Sequence, residues 1–374
     1  MSKEENHNLR IVVTGGGSGG HITPIIAVIA QLRTKTDAHI LWLGEKNGLD
    51  ASAAKQVGVR FMPVAVGKWR RYWSVDNLVS IAKTFLGFWQ ALGYLATYKP
   101  NVVFSKAGYV AVPVVIAARV LGIKVIAHES DTVMGAANRV SIGLSQTVCT
   151  GWPIVNYPTN FRRQLIYTGN PTKKYSKTID KAKVLSRFGF TNDMPVLLIM
   201  GGSQGALFIN ELIWHNLEQL AEHFQIIHQT GANYKITAEK YRQKLSATCK
   251  SRYQPFGFVE QNMVEQWLTI ANLALFRAGA NGIADLSYFG IPAVLIPLPS
   301  GANNHQVKNA EVCEKAGGVV MMDQNGLDSQ KFVGQLLHIA SEKNKLHQMG
   351  LNMQKINPKD ADIKIAEVIL SAVK

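Results

Sequence analysis

The segment Thr14-Gly15-Gly16-Gly17-Ser18-Gly19-Gly20-His21 sets a glycine cluster and one titratable side chain between the β-branched run Ile11-Val12-Val13 and a helical pattern. Without Cβ atoms such a chain turns tightly and can bring backbone N–H groups against a phosphate at a helix N-terminus. Gly15, Gly17 and Gly20 also satisfy the G-x-G-x-x-G spacing of dinucleotide-binding folds. That spacing gives His21 no task. A phosphate cradle with a proton acceptor at its rim points to chemistry on a phosphorylated substrate. The competing role for His21 is a helix-capping residue that orders the loop.

The elements that must position these residues alternate. Residues 40–43, 102–104 and 124–127 read as further buried strands, and short apolar runs between amphipathic stretches indicate a parallel α/β sheet. At mid-chain Val196-Leu197-Leu198-Ile199-Met200 runs into a second glycine loop, Gly201-Gly202-Ser203-Gln204-Gly205-Ala206. A further echo follows. Val102-Val103-Phe104-Ser105-Lys106-Ala107-Gly108 and Leu273-Ala274-Leu275-Phe276-Arg277-Ala278-Gly279 each give a strand, a cation and Ala-Gly before a helix and a Gly-Ile turn. The expected architecture is therefore two Rossmann-like domains, residues 1–168 and 169–350. Within 351–374, a helix over about 363–373 returns to the first domain. Glycine and proline at 169–171 break the periodicity at the first boundary. Facing each other across a cleft, such domains bring both sets of loops to one site, because ligands bind outside the carboxyl ends of parallel strands.

Composition narrows the setting. A chain of 374 residues with 47% hydrophobic residues and near-zero mean hydropathy reads as globular, with a core in each half. A net charge of +15 favours anionic partners such as nucleotides, pyrophosphates, nucleic acid or an acidic membrane surface. Cys149, Cys249 and Cys313 are odd in number and widely spaced, as expected of reduced thiols in a cytoplasmic protein. The polar residues 1–7 read as no signal peptide, and the apolar run over 107–118 is too short and broken to span a bilayer.

An ordered set of motifs then resembles the MurG family of glycosyltransferases. The set runs Gly15 to His21, Ala107-Gly108-Tyr109-Val110, His128-Glu129-Ser130-Asp131, Gly169-Asn170-Pro171 and Gly201 to Ala206. It continues with His228-Gln229-Thr230-Gly231, Arg277-Ala278-Gly279-Ala280 and Gln306 near Asn309-Ala310. The resemblance implies a GT-B fold whose second domain mainly holds the sugar nucleotide. It further implies inverting transfer of N-acetylglucosamine from UDP-N-acetylglucosamine to the C4 hydroxyl of an undecaprenyl-pyrophosphoryl-linked muramyl-pentapeptide, in peptidoglycan synthesis. No cofactor and no metal in the chemical step are implied, and no Asp-x-Asp stands at a strand end as a metal–diphosphate clamp.

Roles follow from the resemblance residue by residue. His21 is the first candidate for general base, since an imidazole near neutrality suits deprotonation of a hydroxyl, and Glu129 is its rival. Gly16, Gly17, Tyr109 and His128 are assigned to the acceptor. Ser18, Gly19, Gly20, Asp131 and Lys173 are assigned to the donor from the first half. From the second half come Ser203 on a phosphate, backbone groups of Val259 on uracil, Arg277 on the diphosphate and Gln306 on the sugar. The helix opening at Ala280, Asn281, Gly282, Ile283 and Ala284 carries Asp285, whose carboxylate would accept from the ribose hydroxyls. Each has an ordinary alternative: a helix-face acid for Asp285, a loop-orienting cation for Arg277, a surface amide for Gln306. Departures mark a divergent member: Asp131 for the family's usual Asn, Lys173 for Arg, Asp285 for Glu, Ala278 for Ser and Ala107 for Gly. Lys keeps the charge but gives up bidentate phosphate geometry.

Basic and aromatic residues Trp69, Arg70, Arg71 and Trp73, followed by a helix carrying Phe85 and Trp89, suit an anionic bilayer interface at the cytoplasmic face. The stripe Leu78, Ile81, Phe85, Phe88 or Trp89, Leu92 and Leu95 is equally readable as buried core. Partners are thus UDP-N-acetylglucosamine, a lipid-linked acceptor, a membrane surface and other cell-wall synthesis proteins, without nucleic acid. Three other functions compete. One is an NAD-dependent oxidoreductase with Glu45 as ribose acid; the second is transfer to another lipid such as diacylglycerol. The third, a basic RNA-binding protein, lacks any RRM, KH or basic-repeat signature.

Overall fold

A computed structural model describes residues 9–17, 19–67, 75–173, 175–176, 178–202, 204–299 and 304–373. The chain forms two compact units. The first comprises Met1–Lys173 with Pro358–Lys374, and the second Lys174–Asn357.

In the first unit, strands β1 (Arg10–Thr14), β2 (His39–Glu45), β3 (Arg60–Val64), β4 (Val102–Ser105), β5 (Lys124–Glu129), β6 (Thr147–Thr150) and β7 (Leu165–Tyr167) build one parallel sheet. Its spatial order is β3-β2-β1-β4-β5-β6-β7. Both faces are covered, so the strands read as continuous apolar runs rather than as alternating ones. Ile11 and Val13 face Ile25 and Ile29 of the helix Gly19–Lys35, while Val12, Leu41 and Leu43 face Ala91, Leu95 and Val114.

The helix Ala361–Ser371 completes this unit by burying Ile365, Ala366 and Ile369 in the first of those cores. Gln31 Nε2 donates to Asp362 Oδ2 at 2.7 Å, and Lys35 pairs with Glu367 at 2.9 Å. The expected boundary at 350/351 falls inside the helix Lys343–Met353, which stays with the second unit. Ser287 Oγ donates to the Met353 carbonyl at 2.7 Å, and Gly290 at φ +69° lies against Gln354. At the other boundary residues 169 and 170 remain with the first unit, held by hydrogen bonds from His128 and to the Ser130 carbonyl.

The 24-residue helix Val75–Tyr98 carries both faces that its sequence left open. The helix is seated through its small residues: Ser80 and Ala91 are buried, and a Cβ on the buried Gly87 would stand 1.9 Å from the Ala65 carbonyl oxygen. Leu95 joins the core, but Leu78, Ile81, Phe85 and Trp89 are exposed, Phe85 by 63% and Trp89 by 54%. The apolar stripe is therefore divided: Phe88, Leu92 and Leu95 pack on the core, while Leu78, Ile81, Phe85 and Trp89 form an exposed surface. Among the described residues, no helix is long and apolar enough to cross a membrane.

The second unit repeats the plan with β8 (Val196–Met200), β9 (Gln225–Gln229), β10 (Tyr253–Phe256), β11 (Leu273–Phe276), β12 (Ala293–Leu295) and β13 (Val319–Met321). Their order is β10-β9-β8-β11-β12-β13, again all parallel. Both sheets thus reverse direction beside their first strand, at β1/β4 and at β8/β11, which is where doubly wound folds bind ligands.

Candidate functional site

At the first switch point, the glycine loop after β1 meets the turn after β4. Lys106 N–H donates to the Thr14 carbonyl at 2.8 Å, drawing the loops together. Gly15, at φ +133°, lies so close that a Cβ would stand 2.8 Å from Lys106 Cβ. Gly16 is filled from below: its Cβ would meet Asp50 Oδ1 at 2.0 Å. Asp50, fully buried on the helix Leu49–Gln56, accepts from the Glu45 N–H and has its carboxyl pushed up to about 6 by burial. Gly17, at φ +83°, presses on the Tyr109 ring, whose hydroxyl donates to Glu45 Oε2 at 2.9 Å. Glu45, the ribose acid of the dinucleotide alternative, is therefore already engaged.

His21 enters this cradle from the first turns of its helix, half-buried, with its Nδ1 inaccessible and without a partner. Burial, then the nearby Lys106 ammonium, lower it to about 4, so the ring is neutral at pH 7. Gly108 lies directly against the ring; a Cβ there would sit 3.3 Å from His21 Nε2.

Glu129, at the end of β5, is 1% exposed. Its Oε1 accepts from the Asp131 N–H at 3.0 Å, and its Oε2 accepts from Asn138 Nδ2 at 2.6 Å. Asn138 Oδ1 in turn accepts from the Gly108 N–H at 2.9 Å, so Glu129 is linked to the turn that lies against the His21 ring. Burial, with the Asp131 carboxylate next, pushes Glu129 up to about 7. Lys106 is 1% exposed and is brought down to about 8 by burial against the opposing pull of Glu129 and Asp131. Its Nζ donates to Ser130 Oγ at 2.5 Å.

His128, expected on the acceptor, is fully buried, and its Nε2 bonds the Gly169 carbonyl at 3.0 Å. Desolvation, then the Lys106 charge, keep it well below its ordinary range and neutral, so Nε2 is the donor. It braces the Gly169-Asn170-Pro171 turn from beneath, and offers no atom to solvent. Asp131 and Lys173 are half-buried on the same unit.

At the second switch point Arg277 N–H donates to the Met200 carbonyl at 3.3 Å, matching Lys106 in the first unit. Its Nη1 spans the Ile296 and Pro297 carbonyls at 3.0 Å each, which orients the guanidinium beside the following helix. That helix, Ala280–Phe289, begins at Gly279 and presents its opening amides and positive dipole end at Ala280, Asn281 and Gly282. Ile283 and Ala284 are buried and seat it. Asp285 Oδ1 accepts from the Tyr175 hydroxyl at 2.5 Å, and Tyr175 is held against Tyr288 and Phe289. Gln306 Oε1 accepts from the Leu298 N–H at 2.9 Å, and Val259 is half-buried after β10, beside the exposed Phe258.

The glycine loop after β8 is clamped. A Cβ on Gly205 (φ +79°) would lie 1.9 Å from the Thr230 carbonyl oxygen, and one on Gly231 (φ +91°) 2.1 Å from that of Gln204. A buried relay fixes that clamp. Trp214 Nε1 donates to the Tyr253 hydroxyl, Tyr253 to His228 Nδ1, and His228 Nε2 to Asn210 Oδ1. Asn210 Nδ2 then donates to the Thr230 carbonyl at 2.9 Å. The donor-only indole and the acceptor-only carbonyl set the direction of every bond between them.

Ser18, Ser203, Trp69, Arg70, Arg71 and Trp73 lie outside the described residues. Sequence reasoning missed Lys106, Asp50, Asn138, Tyr175 and the relay. Lys106 alone had a signal, its match in position to Arg277.

Comparisons agree with this geometry. Residues 11–150 match the N-terminal domain of glycosyltransferase family 28, and residues 196–364 match its C-terminal domain. A relative from Lachnoclostridium phytofermentans named UDP-N-acetylglucosamine--N-acetylmuramyl-(pentapeptide) pyrophosphoryl-undecaprenol N-acetylglucosamine transferase is 34% identical, over 96% of this chain and 98% of its own. A Clostridium tetani protein of the same name is 33% identical over 90% and 91%. The crystal structure of Acinetobacter baumannii MurG superposes with a TM-score of 0.75 at 23% identity, covering 97% of this chain and 99% of that one. With two parallel α/β units of GT-B type and relatives matched along nearly its full length, the chain belongs to the MurG family of UDP-sugar glycosyltransferases.

Proposed function

We propose that the chain transfers N-acetylglucosamine from UDP-N-acetylglucosamine to the C4 hydroxyl of undecaprenyl-pyrophosphoryl-N-acetylmuramyl-pentapeptide, with inversion and without a metal in the step. The observation that carries this is the pair of switch points. Each has a glycine loop and a cation bonded to the end of the first strand of its sheet, in a chain of this family.

The second unit takes the donor. The opening amides at Ala280, the Gly201–Ala206 backbone and the Arg277 charge stabilise the departing diphosphate, while Asp285 takes the ribose, Gln306 the sugar and Val259 the uracil. Tyr175 presets the Asp285 carboxylate by hydrogen bond. The first unit takes the acceptor at Gly16, Gly17 and Tyr109. His21 is the general base, because its ring is neutral at pH 7 and lies at the rim of the cradle. Glu129 does not take the proton. Both of its oxygens already accept hydrogen bonds, and through Asn138 and Gly108 it orders the ring that does. Leu78, Ile81, Phe85 and Trp89, exposed on one helix of a chain with net charge +15, suit adsorption to an anionic bilayer at the cytoplasmic face.

Incubation with UDP-N-acetylglucosamine and the lipid-linked muramyl-pentapeptide should yield the lipid-linked disaccharide. His21→Ala should bind donor normally and lose turnover by about 10²–10⁴-fold. A folded, UDP-binding protein that makes no product would redirect the acceptor to another lipid, and near-normal turnover of His21→Ala would remove it as base.

A further inference from the structure

Lys106 has no part in the proton transfer just described, yet it is a cation almost completely removed from water beneath the first glycine loop. A buried ammonium needs compensation. Its hydrogen bond goes to Ser130 Oγ, a neutral partner, and the Ser130 carbonyl is itself pinned by Trp152 Nε1 and Asn170 Nδ2. The charges that face it are those of Glu129 and Asp131 at the end of β5, with neutral His128 on that strand and neutral His21 on the first helix. Tyr157, buried and neutral, faces Glu129 and Asp131 and donates to the Asp131 carbonyl.

Resting on the proposed transfer, we infer that Lys106 is a positioning residue whose ammonium balances the Glu129–Asp131 carboxylates, keeping Glu129 ionised so that Asn138 and Gly108 hold His21 in place. The ionised form of Glu129 is the better acceptor for both of its hydrogen bonds. Glu129 accepts a hydrogen bond on each oxygen, and a proton on either one competes with the Asp131 amide or the Asn138 side chain. Loss of the Asn138 bond frees the amide that fixes the Gly108 N–H, and Gly108 is the wall against which the His21 ring rests.

The test uses the intact chain and reads kcat against pH at saturating donor, together with the pH dependence of thermal stability. Lys106→Met leaves two carboxylates without their cation. Glu129 then ionises at higher pH, moving the acid limb of kcat up by about one unit and lowering kcat about tenfold below the limb. Adding Asp131→Asn removes one charge at nearly constant shape and should return the limb toward its original place. Asp131→Asn alone should move it down, and it serves if Lys106→Met does not fold. Stability should follow with the same signs. The loss of stability as pH rises through the ionisation of Glu129 should extend to higher pH in Lys106→Met and contract in Asp131→Asn. An unmoved limb in Lys106→Met, or a double variant no better than the single, overturns the inference. Should the wild-type chain transfer nothing to the lipid acceptor, the proposed function fails, while the stability profiles still decide the role of Lys106.

Discussion

Replacing Gly205 by Ala tests the loop assigned to the diphosphate. At φ +79° an L-residue pays about 1–2 kcal/mol for the left-handed backbone. The new Cβ would also stand 1.9 Å from the Thr230 carbonyl oxygen. That oxygen cannot retreat, because Asn210 holds it at 2.9 Å and His228 holds Asn210. Overpacking of this kind costs about 1–3 kcal/mol, giving about 2–5 kcal/mol in all. Gly189→Ala is the control, since φ is +70° there but no atom lies within 4 Å of the added Cβ. It costs about 1–2 kcal/mol of strain, partly offset by a stiffer unfolded chain. For a unit spanning residues 174–357, calorimetry should show Gly205→Ala melting roughly 5–15 °C lower and Gly189→Ala by no more than about 6 °C. UDP at about 100 times its Kd should raise the stability of wild type and Gly189→Ala by about 2.7 kcal/mol, and that of Gly205→Ala by much less. Equal melting temperatures for the two variants would refute the steric argument. Full UDP stabilisation of Gly205→Ala would refute the placement of the diphosphate.

Two further outcomes follow from exposure and charge. Phe85→Glu with Trp89→Glu should leave the fold and UDP binding intact and abolish co-sedimentation with anionic vesicles; undiminished binding would move the membrane contact off this helix. His228 is lowered to about 3 by complete burial, against 6.5 when free. The unfolded chain therefore takes up the proton first, and stability is complete above pH 6.5 and lost as pH falls toward 3. The difference amounts to at most about 5 kcal/mol. His228→Gln should be less stable at pH 7 but flatter across that interval, and an unchanged slope by urea titration would rule out His228 as its source.

Much of the fold was legible because local chemistry dictated it. The apolar runs at 11–13, 102–104, 196–200 and 273–276 became central strands beside each switch point. The residues around His21 and Glu129 were legible as motifs, but not in their relations. That Glu129 reaches His21 through Asn138 and Gly108 depends on hydrogen bonds across 9 and 30 residues of chain. No periodicity encodes these.

The sequence by itself determined the alternation of strands and helices, the two glycine loops and the order of motifs that places the chain in its family. These rest on backbone freedom and on hydrophobic patterning within a few residues. Only the tertiary structure decided that Lys106 and Asp50 are buried under the first loop and that His128 braces a turn instead of facing solvent. It also decided that Leu78, Ile81, Phe85 and Trp89 of the helix Val75–Tyr98 point outward while Phe88, Leu92 and Leu95 pack on the core. In that helix a buried Gly87 admits the Ala65 carbonyl, where any Cβ would stand 1.9 Å away. At Lys106, burial turned an ordinary cation into one whose partners must be supplied from another strand, and sequence distance carries no record of that.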